Sequence, residues 1–294
     1  MIRNSNHIPV LLHEVMRVLN PIPGEFFVDG TAGGGGHATE ILKRVSPRGT
    51  LIGIDVDQNA VASLKEKFAV APNIKLIHAS YDEIPEILKR ERLQKIDGLL
   101  LDLGFSSMHV DDAERGFSFK YDGPLDMRYD ASTGISAAEI VNSLPERRIA
   151  EILRVFGEER FADQIAHGIV VERKRKRITR TLELADIVRR AVFVRGRTDP
   201  ATRTFQALRI FVNSEFEHLE RLLGAIPEIT KSGGRVAIIS FHSLEDRIVK
   251  NAFRDLAKAG KAEFITKKPI VPSLAERREN PRSRSAKLRA IKII

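Results

Sequence analysis

The sequence predicts an α/β protein built on a mostly parallel sheet, with a helical insertion in the middle of the chain. Three observations carry this prediction. Short apolar segments alternate with helix-like segments from Phe26 to Asp102, which is the pattern of parallel strands joined by crossover helices. A glycine-rich turn follows the first apolar segment. The alternation then stops for much longer than the roughly 30 residues of one crossover unit.

Four strands are expected before the insertion. Apolar residues at helical spacing predict a first helix from His7 to Leu19, which a proline-rich segment ends. Because ligands bind at the carboxyl ends of parallel strands, the residues that follow each strand are candidates for a binding site. The expected elements are, in order, strand 26–29, helix 37–45, strand 50–55, helix 58–69, strand 74–78, helix 84–94 and strand 96–102.

The sheet is expected to resume with a strand at 234–240. Helical patterns occupy the intervening stretch, and they predict a small helical second domain. We therefore expect residues 1–110 and 212–294 to form the sheet domain, and residues 111–211 to form the insertion. The remaining elements are expected to be helices at 136–143, 146–156, 159–176, 182–194, 212–230 and 244–260, with last strands at 264–266 and 288–293.

The turn from Asp29 to His37 is the most informative segment of the chain. Glycines at position 30 and at positions 33–36 stand between a strand and a helix. Glycine tolerates positive φ and lets the backbone approach a ligand closely. The helix N-terminus behind the turn supplies unpaired N–H groups and a positive dipole end. A tight turn that binds nothing is the alternative interpretation.

Asp55 strengthens the ligand interpretation of the glycine turn. It ends the second strand, 25 residues after Gly30, where an acid can accept hydrogen bonds from ribose hydroxyls. The alternative is that Asp55 caps the helix that begins near Gln58. The turn and the acid together favour a cofactor that contains a nucleoside.

The loop from Asp102 to Ser107 follows the fourth strand, so it is expected at the same edge of the sheet. Asp102 can accept hydrogen bonds from a cationic or amine group. Ser106 and Ser107 can orient a substrate amine. The alternative is a helix start at which Gly104 forms the bend and Ser106 is the cap.

His242 follows the fifth strand, within the segment from Ser240 to Arg247. It could act as a base, provide a surface on which a nucleobase stacks, or be a buried histidine of the core. Ser243 and Asp246 have the spacing of an ordinary helix start that resembles a capping box.

Positive charge is concentrated in two segments of this chain, whose net charge is +9. Residues 172–180 hold six basic residues and one acid, and residues 261–294 hold ten basic residues and three acids. Such patches suggest a polyanionic partner, although a solvated helix face or a loose tail has the same composition. Arg203 and Arg209 could also contact phosphates.

Composition excludes several classes of protein. The chain has no cysteine, so it has no disulfide, no thiolate metal site and no cysteine nucleophile. It contains no apolar run of about 18 residues, so no membrane span is expected. No zinc-deaminase signature is present and no metal is expected. These features fit a cytoplasmic protein.

Two further loops are rich in glycine, aspartate, arginine and phenylalanine, at 109–119 and 123–128. Their aromatic side chains could stack a nucleobase. They could equally form a packed connection between the two domains.

Several segments, in order along almost the whole chain, resemble the MraW family of bacterial methyltransferases. The combination is specific, although each segment alone is not. The matching segments are His7–Leu12, Asp29–Thr31 with Gly35–His37, Leu101–Gly104 with Ser106–Ser107, Asp112–Phe119, Gly157–Arg160, Thr202–Ala207 and Ser240–Arg247.

The resemblance implies an enzyme that uses S-adenosylmethionine to methylate N4 of a cytidine in small-subunit (16S) ribosomal RNA, in the decoding region. It implies a class I methyltransferase fold, which is Rossmann-like with a mostly parallel seven-stranded sheet, and an inserted small helical domain. Its partner would be 16S ribosomal RNA within the small subunit. The cofactor site would comprise Gly34, Gly35, Gly36, His37, Asp55, Tyr81, Asp102 and His109.

One departure concerns methyltransferases more widely. Many enzymes that methylate exocyclic amines carry an acidic, Ser or Asn residue followed by Pro-Pro and an aromatic residue after the fourth strand. Here that loop is Asp102-Leu103-Gly104-Phe105, so the usual amine acceptor does not carry over. The catalytic candidates are therefore Asp102, Ser106, Ser107 and His242.

The expected roles follow from these positions. Asp55 and Tyr81 would hold the ribose and adenine region, the 102–107 loop would face the methionine and the incoming base, and His242 would shape or stack the base pocket. The segments 172–180 and 277–289 would grip the RNA backbone. Two rival functions are a nucleotide-dependent dehydrogenase on the same sheet, and a ribosome-assembly protein whose cofactor site is vestigial.

Overall fold

The computed structural model describes residues 8–104, 112–192 and 199–294. The chain divides into two compact units, Met1–Gly104 with Phe216–Ile294, and Phe105–Glu215. The first unit contains the sheet, and the second is helical. Within the described ranges, no helix is long and apolar enough to cross a membrane.

The first unit is built on a seven-stranded sheet. The strands are β1 Phe26–Asp29, β2 Thr50–Asp55, β3 Ile74–His78, β4 Ile96–Asp102, β5 Thr230–Ser240, β6 Ala262–Phe264 and β7 Lys287–Ile293. Their order is β3-β2-β1-β4-β5-β7-β6. The pairs among β1 to β5 are parallel, and β7 is antiparallel to both of its neighbours. The mostly parallel seven-stranded sheet expected from the sequence is confirmed.

Helices cover both faces of this sheet and build the second unit. In chain order they are α1 Leu12–Leu19, α2 Gly36–Val45, α3 Gln58–Lys67, α4 Ile84–Arg90, α5 Ala137–Ser143, α6 Glu146–Gly157, α7 Ala162–Arg175, α8 Thr181–Ala191, α9 Ala201–Val212, α10 Glu215–Ile229, α11 Ser243–Lys258 and α12 Leu274–Glu279. Short 3₁₀ turns lie at Tyr81–Glu83, Ala113–Arg115 and Pro281–Ser285.

The sheet is buried on both faces, which explains why its strands are almost continuously apolar. Successive residues of a strand point to opposite faces. Val28 accordingly belongs to one apolar cluster with residues of α4, α10 and α11. Phe27 belongs to another, with residues of α1, α2 and α3. The two clusters hold the carboxyl ends of the strands at one edge.

The second unit has an apolar core of its own. Helices α5 to α9 contribute Ile140, Ile149, Ile165, Leu184 and Leu208, among others, and all five side chains are fully buried. A separate core is what allows an inserted segment to form a compact unit. Its function in recognising a substrate stays a prediction.

Several elements differ in their bounds from the sequence expectation, and the backbone explains three of these differences. The first helix begins at Leu12 rather than His7, because Leu11 is buried and has a left-handed φ of 55°. The helix expected at 212–230 begins at Glu215 instead, since α9 ends at Val212 and Ser214 has a φ of 47°. Strand β5 begins before Gly234, because Thr230 pairs with β4 across an irregularity in the register.

Two glycines provide a matched test of the sheet packing. A Cβ on Gly98 of β4 would lie 2.0 Å from the Phe27 ring, whereas a Cβ on Gly224 of α10 has no heavy atom within 4 Å. We expect Gly98→Ala to lower the free energy of unfolding by roughly 1–3 kcal/mol through overpacking. Gly224→Ala should raise it by about 0.5–1 kcal/mol, because alanine favours the helix. Urea unfolding measures both, and equal effects would contradict this packing.

Candidate functional site

Acidic side chains end three neighbouring strands of the first unit. Asp29 ends β1, Asp55 ends β2 and Asp102 ends β4. Because β1 pairs in parallel with both β2 and β4, the three carboxyl groups lie at one edge of the sheet. Three sequence-predicted features, Asp55, Asp102 and the glycine turn, are therefore brought together.

The glycine turn has the backbone conformation that the sequence predicts. Gly33 has a φ of +49° and Gly35 a φ of +72°, both in the left-handed region that favours glycine. The backbone N–H groups of residues 30–33 and of residue 35 all donate within the protein. These five donors are consequently not available to a ligand.

Most glycines of the turn serve packing against the protein itself. A Cβ on Gly30 or Gly35 would lie 2.6 Å from a leucine side chain of β4 or α3, respectively. A Cβ on Gly36 would lie 3.0 Å from the proline ring that precedes α1. Gly34, by contrast, is exposed, and the nearest atom to a Cβ on Gly33 is 3.7 Å away. Close approach of a ligand is thus possible at Gly33 and Gly34.

The Asp55 carboxylate ties the glycine turn to the tip of β2. One of its oxygens accepts from the backbone N–H of Gly33 at 2.7 Å, and the other accepts from that of Asp57 at 2.9 Å. Asp57 is the residue that caps α3, because its side chain accepts from the N–H of Asn59. The alternative interpretation of Asp55 as the helix cap is therefore wrong.

His37 is buried beside Asp102. Its Nε2 lies 2.9 Å from the carbonyl oxygen of Val10, and since a carbonyl only accepts, Nε2 carries a proton. Its Nδ1 is directed at Asp102, 3.7 Å from Oδ2. The family resemblance implies that both residues contact the cofactor, and the fold places them side by side.

Asp102 and Asp29 both prefer the protonated form more than an ordinary aspartate does. Burial, and then the negative charges of Asp29 and Glu245, raise the pKa of Asp102 to about 8. Burial also raises the pKa of Asp29 to about 7, a hydrogen bond from the Thr31 backbone opposes this, and the charge of Asp55 adds to it. The buried Oδ1 of Asp102 has no hydrogen-bond partner among the described residues. Ionisation of both carboxyl groups at this edge is therefore unfavourable unless a positive charge lies beside them.

His242 is the N-cap of α11 and is held by Glu245. Its Nδ1 accepts from the Glu245 backbone N–H at 3.4 Å, and its Nε2 lies 3.0 Å from Glu245 Oε1. Its ring lies 6.1 Å from that of Phe216. The buried Nε2 forms no hydrogen bond with any described residue. The bond from the α11 backbone to Nδ1 fixes the ring in place, as the wall of a pocket requires.

Asp246 does not start α11, contrary to the expectation of a capping-box-like start at Ser243. It pairs instead with Arg289 at 2.7 Å and Lys287 at 3.1 Å. Although burial alone raises the pKa of Asp246, hydrogen bonds from these two cations hold it below its usual value. Arg289 is consequently committed to the fold, and the expectation that the segment 277–289 grips RNA stays a prediction.

Tyr81 follows β3 and lies against the glycine turn. A Cβ on Gly30 would be 3.1 Å from the Cβ of Tyr81. The Tyr81 ring meets the His218 ring edge-on, with centroids 6.4 Å apart and planes at 87°. Tyr81 is thus placed near the turn, as the sequence predicts for a cofactor contact.

Sequence reasoning missed the residues that hold the Tyr81 turn in place. Asp82 is held by the hydroxyl of Ser80 and by Arg221, whose Nη2 is 2.8 Å from Oδ2. His218 lies 3.4 Å from the Ser80 hydroxyl. The Ser80–Glu83 capping box could have been found in the sequence. No local signal connects it to α10, which follows far along the chain.

The basic segment 172–180 is partly committed to the second unit. Arg173 donates to two backbone carbonyls at the end of α5, at 2.8 and 2.7 Å. Three other cations form exposed ion pairs, Arg175 with Glu172, Lys176 with Glu183 and Arg180 with Asp122.

Arg209 is buried and pairs with Glu215 through two hydrogen bonds of 2.8 and 2.9 Å. The expectation that it contacts phosphate is therefore wrong, since the side chain is buried and paired inside the second unit. Arg203 donates to the carbonyl of Glu158 at 3.1 Å.

The aromatic loops pack within the second unit. Phe117 stacks on Tyr129 with centroids 5.4 Å apart, and Phe119 meets Phe205 edge-on at 4.8 Å. These rings serve its core, which favours the packed interpretation over base stacking. Ser106, Ser107 and His109 lie outside the described residues, so their proposed roles stay predictions.

The sheet order, its antiparallel β7, the glycine turn after β1 and the acids at the strand ends define a methyltransferase with the class I fold. A comparison with family models narrows this class. The model described as the MraW methylase family matches residues 4–294, and the chain belongs to that family.

Several relatives named Ribosomal RNA small subunit methyltransferase H are similar over nearly their whole length. The protein from Coprothermobacter proteolyticus is 48% identical, covering 97% of this chain and 95% of its own. That from Heliobacterium modesticaldum is 46% identical, and that from Clostridioides difficile 43% identical, each covering 97% of both chains.

The raised pKa of Asp102 makes stability depend on pH in a definite direction. The folded protein binds the Asp102 proton up to about pH 8, whereas the unfolded chain releases it near pH 4. Between these values stability falls as pH rises, by at most about 1.4 kcal/mol per pH unit for one group. Asp102→Asn removes this dependence. In urea unfolding, the free energy of unfolding of the variant should therefore increase relative to that of the wild type as the pH rises from 5 to 8. Parallel pH profiles would contradict the assignment.

Proposed function

We propose that this protein transfers a methyl group from S-adenosylmethionine to N4 of a cytidine in the decoding region of small-subunit ribosomal RNA. Family membership and the names of the relatives support a ribosomal RNA methyltransferase. The observation that carries the choice of cofactor is the pair of buried carboxyl groups at the ends of adjacent strands, Asp29 and Asp102, whose negative charge forms readily only beside a cation. The sulfonium and ammonium groups of S-adenosylmethionine are cationic and fit such a site.

The same charge argues against a dinucleotide cofactor, and so against the dehydrogenase alternative. A pyrophosphate is bound by free N–H groups of a glycine turn and the helix behind it. Here the N–H groups of residues 30–33 and 35 already donate within the protein. A pyrophosphate would also approach Asp29 and Asp55 with like charge. The glycine turn therefore suits a cofactor without phosphates.

The residues along the edge of the sheet can be assigned to successive parts of S-adenosylmethionine, from the adenosine half to the methionine end. Asp55, at the tip of β2, would accept from the ribose hydroxyls, and Tyr81 would contact the adenine. The exposed backbone at Gly33 and Gly34 allows close approach of the methionine end, which Asp102 would attract by charge. His37 would contact the methionine end beside Asp102. Gly35, Gly36 and His109 remain proposed cofactor residues.

Transfer joins N4 to the methyl carbon, breaks the carbon–sulfur bond and releases one proton from N4. The N4 lone pair is delocalised into the ring, so in-line placement and acceptors for the amine hydrogens carry the catalysis. Asp102 can take the proton in the ionised form that a bound cation favours. Ser106 and Ser107 would orient the amine, and His242 would form the wall against which the base rests.

The substrate is proposed to be 16S ribosomal RNA within the small subunit or a folded precursor. The target cytidine must leave its stacked position to reach the sheet edge. Residues 111–211 would recognise the RNA around it. An assembly protein with a vestigial cofactor site is the remaining alternative, and it predicts no methyl transfer.

Two substitutions separate charge from shape at the proposed site. Asp102→Asn keeps the shape but removes the charge, so it should weaken S-adenosylmethionine binding and lower transfer by about 100-fold or more. His242→Ala should lower transfer while leaving cofactor binding within about twofold, because it changes only the base wall. Tritium transfer from labelled cofactor into small subunits measures the rate, and calorimetry measures binding.

Mass spectrometry of the methylated RNA then identifies the nucleotide. Wild-type rates in both variants would remove them from the site. A methyl group on another base or atom would replace the proposed substrate, and no transfer by the wild type would favour the assembly protein.

The Asp82–Arg221 pair should act on cofactor binding through the Tyr81 turn. Asp82→Asn or Arg221→Gln loosens this turn, so S-adenosylmethionine and 5′-methylthioadenosine, which share the adenosine half, should both bind roughly 5- to 20-fold more weakly. The kcat at saturating cofactor should stay within about twofold. Arg254→Gln, which breaks an exposed pair with Asp255 on α11, is the matched control. Unchanged affinity for both ligands would exclude this role.

A further inference from the structure

Tyr121 presents an aromatic ring to solvent from the second unit. Its side chain is 55% exposed, whereas Tyr81 and Tyr129 are partly buried. The ammonium of Lys120 lies 5.3 Å from the centroid of the Tyr121 ring, on one of its faces. The neighbouring Phe119 packs against the apolar core of the second unit. Of these two aromatic rings, that of Tyr121 is the one exposed to solvent.

The backbone under Tyr121 is firmly held. The fully buried Thr181 donates its hydroxyl to the carbonyl of Tyr121 at 3.1 Å and accepts from the N–H of Gly123 at 3.1 Å. A Cβ on Gly123 would lie 1.8 Å from a carbonyl oxygen, so this close packing requires glycine. The exposed ring therefore projects from a fixed base.

The basic segment 172–180 ends beside the segment that carries Tyr121. Pro124 bridges to Arg180, and the N–H of Leu125 donates to Thr179, which places the end of the basic segment beside the segment that carries Tyr121. Within that basic segment, Lys174 and Arg177 are exposed and form no ion pair with any described residue.

The other cations there are in exposed pairs, which contribute little and can exchange a carboxylate for a phosphate. Arg175, Lys176 and Arg180 are each at least 46% exposed at the side chain. Pairs of this kind stabilise a protein by about 0–1 kcal/mol. Phosphates could therefore compete for these three cations.

We propose that Tyr121, Lys174, Arg177 and their neighbouring cations form a docking surface for single-stranded RNA, which we call the Tyr121 surface. A base stacks on the face of the Tyr121 ring opposite Lys120, and the cations contact the phosphates on either side. An exposed aromatic ring among cations is the arrangement that binds unstacked bases without reading their sequence. The choice of RNA as the polyanion rests on the proposed function.

Two ligands distinguish stacking from charge. A ten-nucleotide oligocytidylate RNA carries bases and phosphates, whereas inorganic polyphosphate carries phosphates alone. Tyr121→Ala should weaken binding of the RNA by roughly 5- to 100-fold and leave polyphosphate unchanged. Tyr121→Phe should retain RNA binding, because its ring still stacks. Lys174→Gln with Arg177→Gln should weaken both ligands and reduce the salt slope for RNA by about 1.4.

Matched controls lie in the first unit. Phe264→Ala removes a ring that is 40% exposed on β6, and Lys89→Gln with Lys258→Gln removes two exposed cations. These controls should bind both ligands like the wild type, and circular dichroism verifies that every variant is folded. Fluorescence anisotropy of the full chain measures binding.

Two results would overturn the proposal. One is RNA binding by Tyr121→Ala equal to that of Phe264→Ala, and the other is an equal loss of RNA and polyphosphate binding. Because these titrations need neither cofactor nor methyl transfer, their outcome is independent of the proposed reaction. If the wild type methylates subunits but Tyr121→Ala binds RNA as tightly as the wild type, the Tyr121 surface is refuted and the proposed methyl transfer is not.

Discussion

Burial of carboxyl groups at one edge of a parallel sheet is the constraint on which the rest of the site depends. Asp29 and Asp102 end adjacent parallel strands, so strand pairing itself brings them together. A buried carboxylate is costly to ionise, and a second one nearby increases that cost. Thr31 relieves part of it by donating its N–H to Asp29, and His37 directs Nδ1 at Asp102. The edge still lacks positive charge, and a cationic ligand supplies it.

The glycine turn follows from the same edge. Its N–H groups at residues 30–33 and 35 donate to carbonyls of the neighbouring strands, to the carboxylates of Asp29 and Asp55, and to a carbonyl of the turn itself. Gly35 and Gly36 allow the turn to pack against α3 and the segment before α1. Those five N–H groups are thereby unavailable to a pyrophosphate, and the backbone is open to the close approach of a ligand at Gly33 and Gly34. Charge and geometry thus select the same kind of cofactor, which is cationic and carries no phosphate.

Strands, and the edge at which they end, could be predicted from the sequence, because continuous apolar runs and the acids after them are local signals. The bounds of β2 and β3 agree with those expected. The contacts that hold the Tyr81 turn could not be predicted, because His218 and Arg221 lie on α10, far along the chain from Ser80 and Asp82. Arg209 could not be distinguished from a residue that binds phosphate, because only the fold shows that its side chain is buried and paired with Glu215.

Ionisation of the carboxyl groups at this edge requires a cation beside them. The most direct test of this requirement is proton release on binding S-adenosylmethionine, measured by calorimetry at pH 7 in buffers of different ionisation enthalpy. Because the pKa of Asp102 is about 8 in the ligand-free protein, binding of the cation should expel a large fraction of one proton. Asp102→Asn should expel markedly less. No proton release by the wild type, or equal release by the two proteins, would contradict the account.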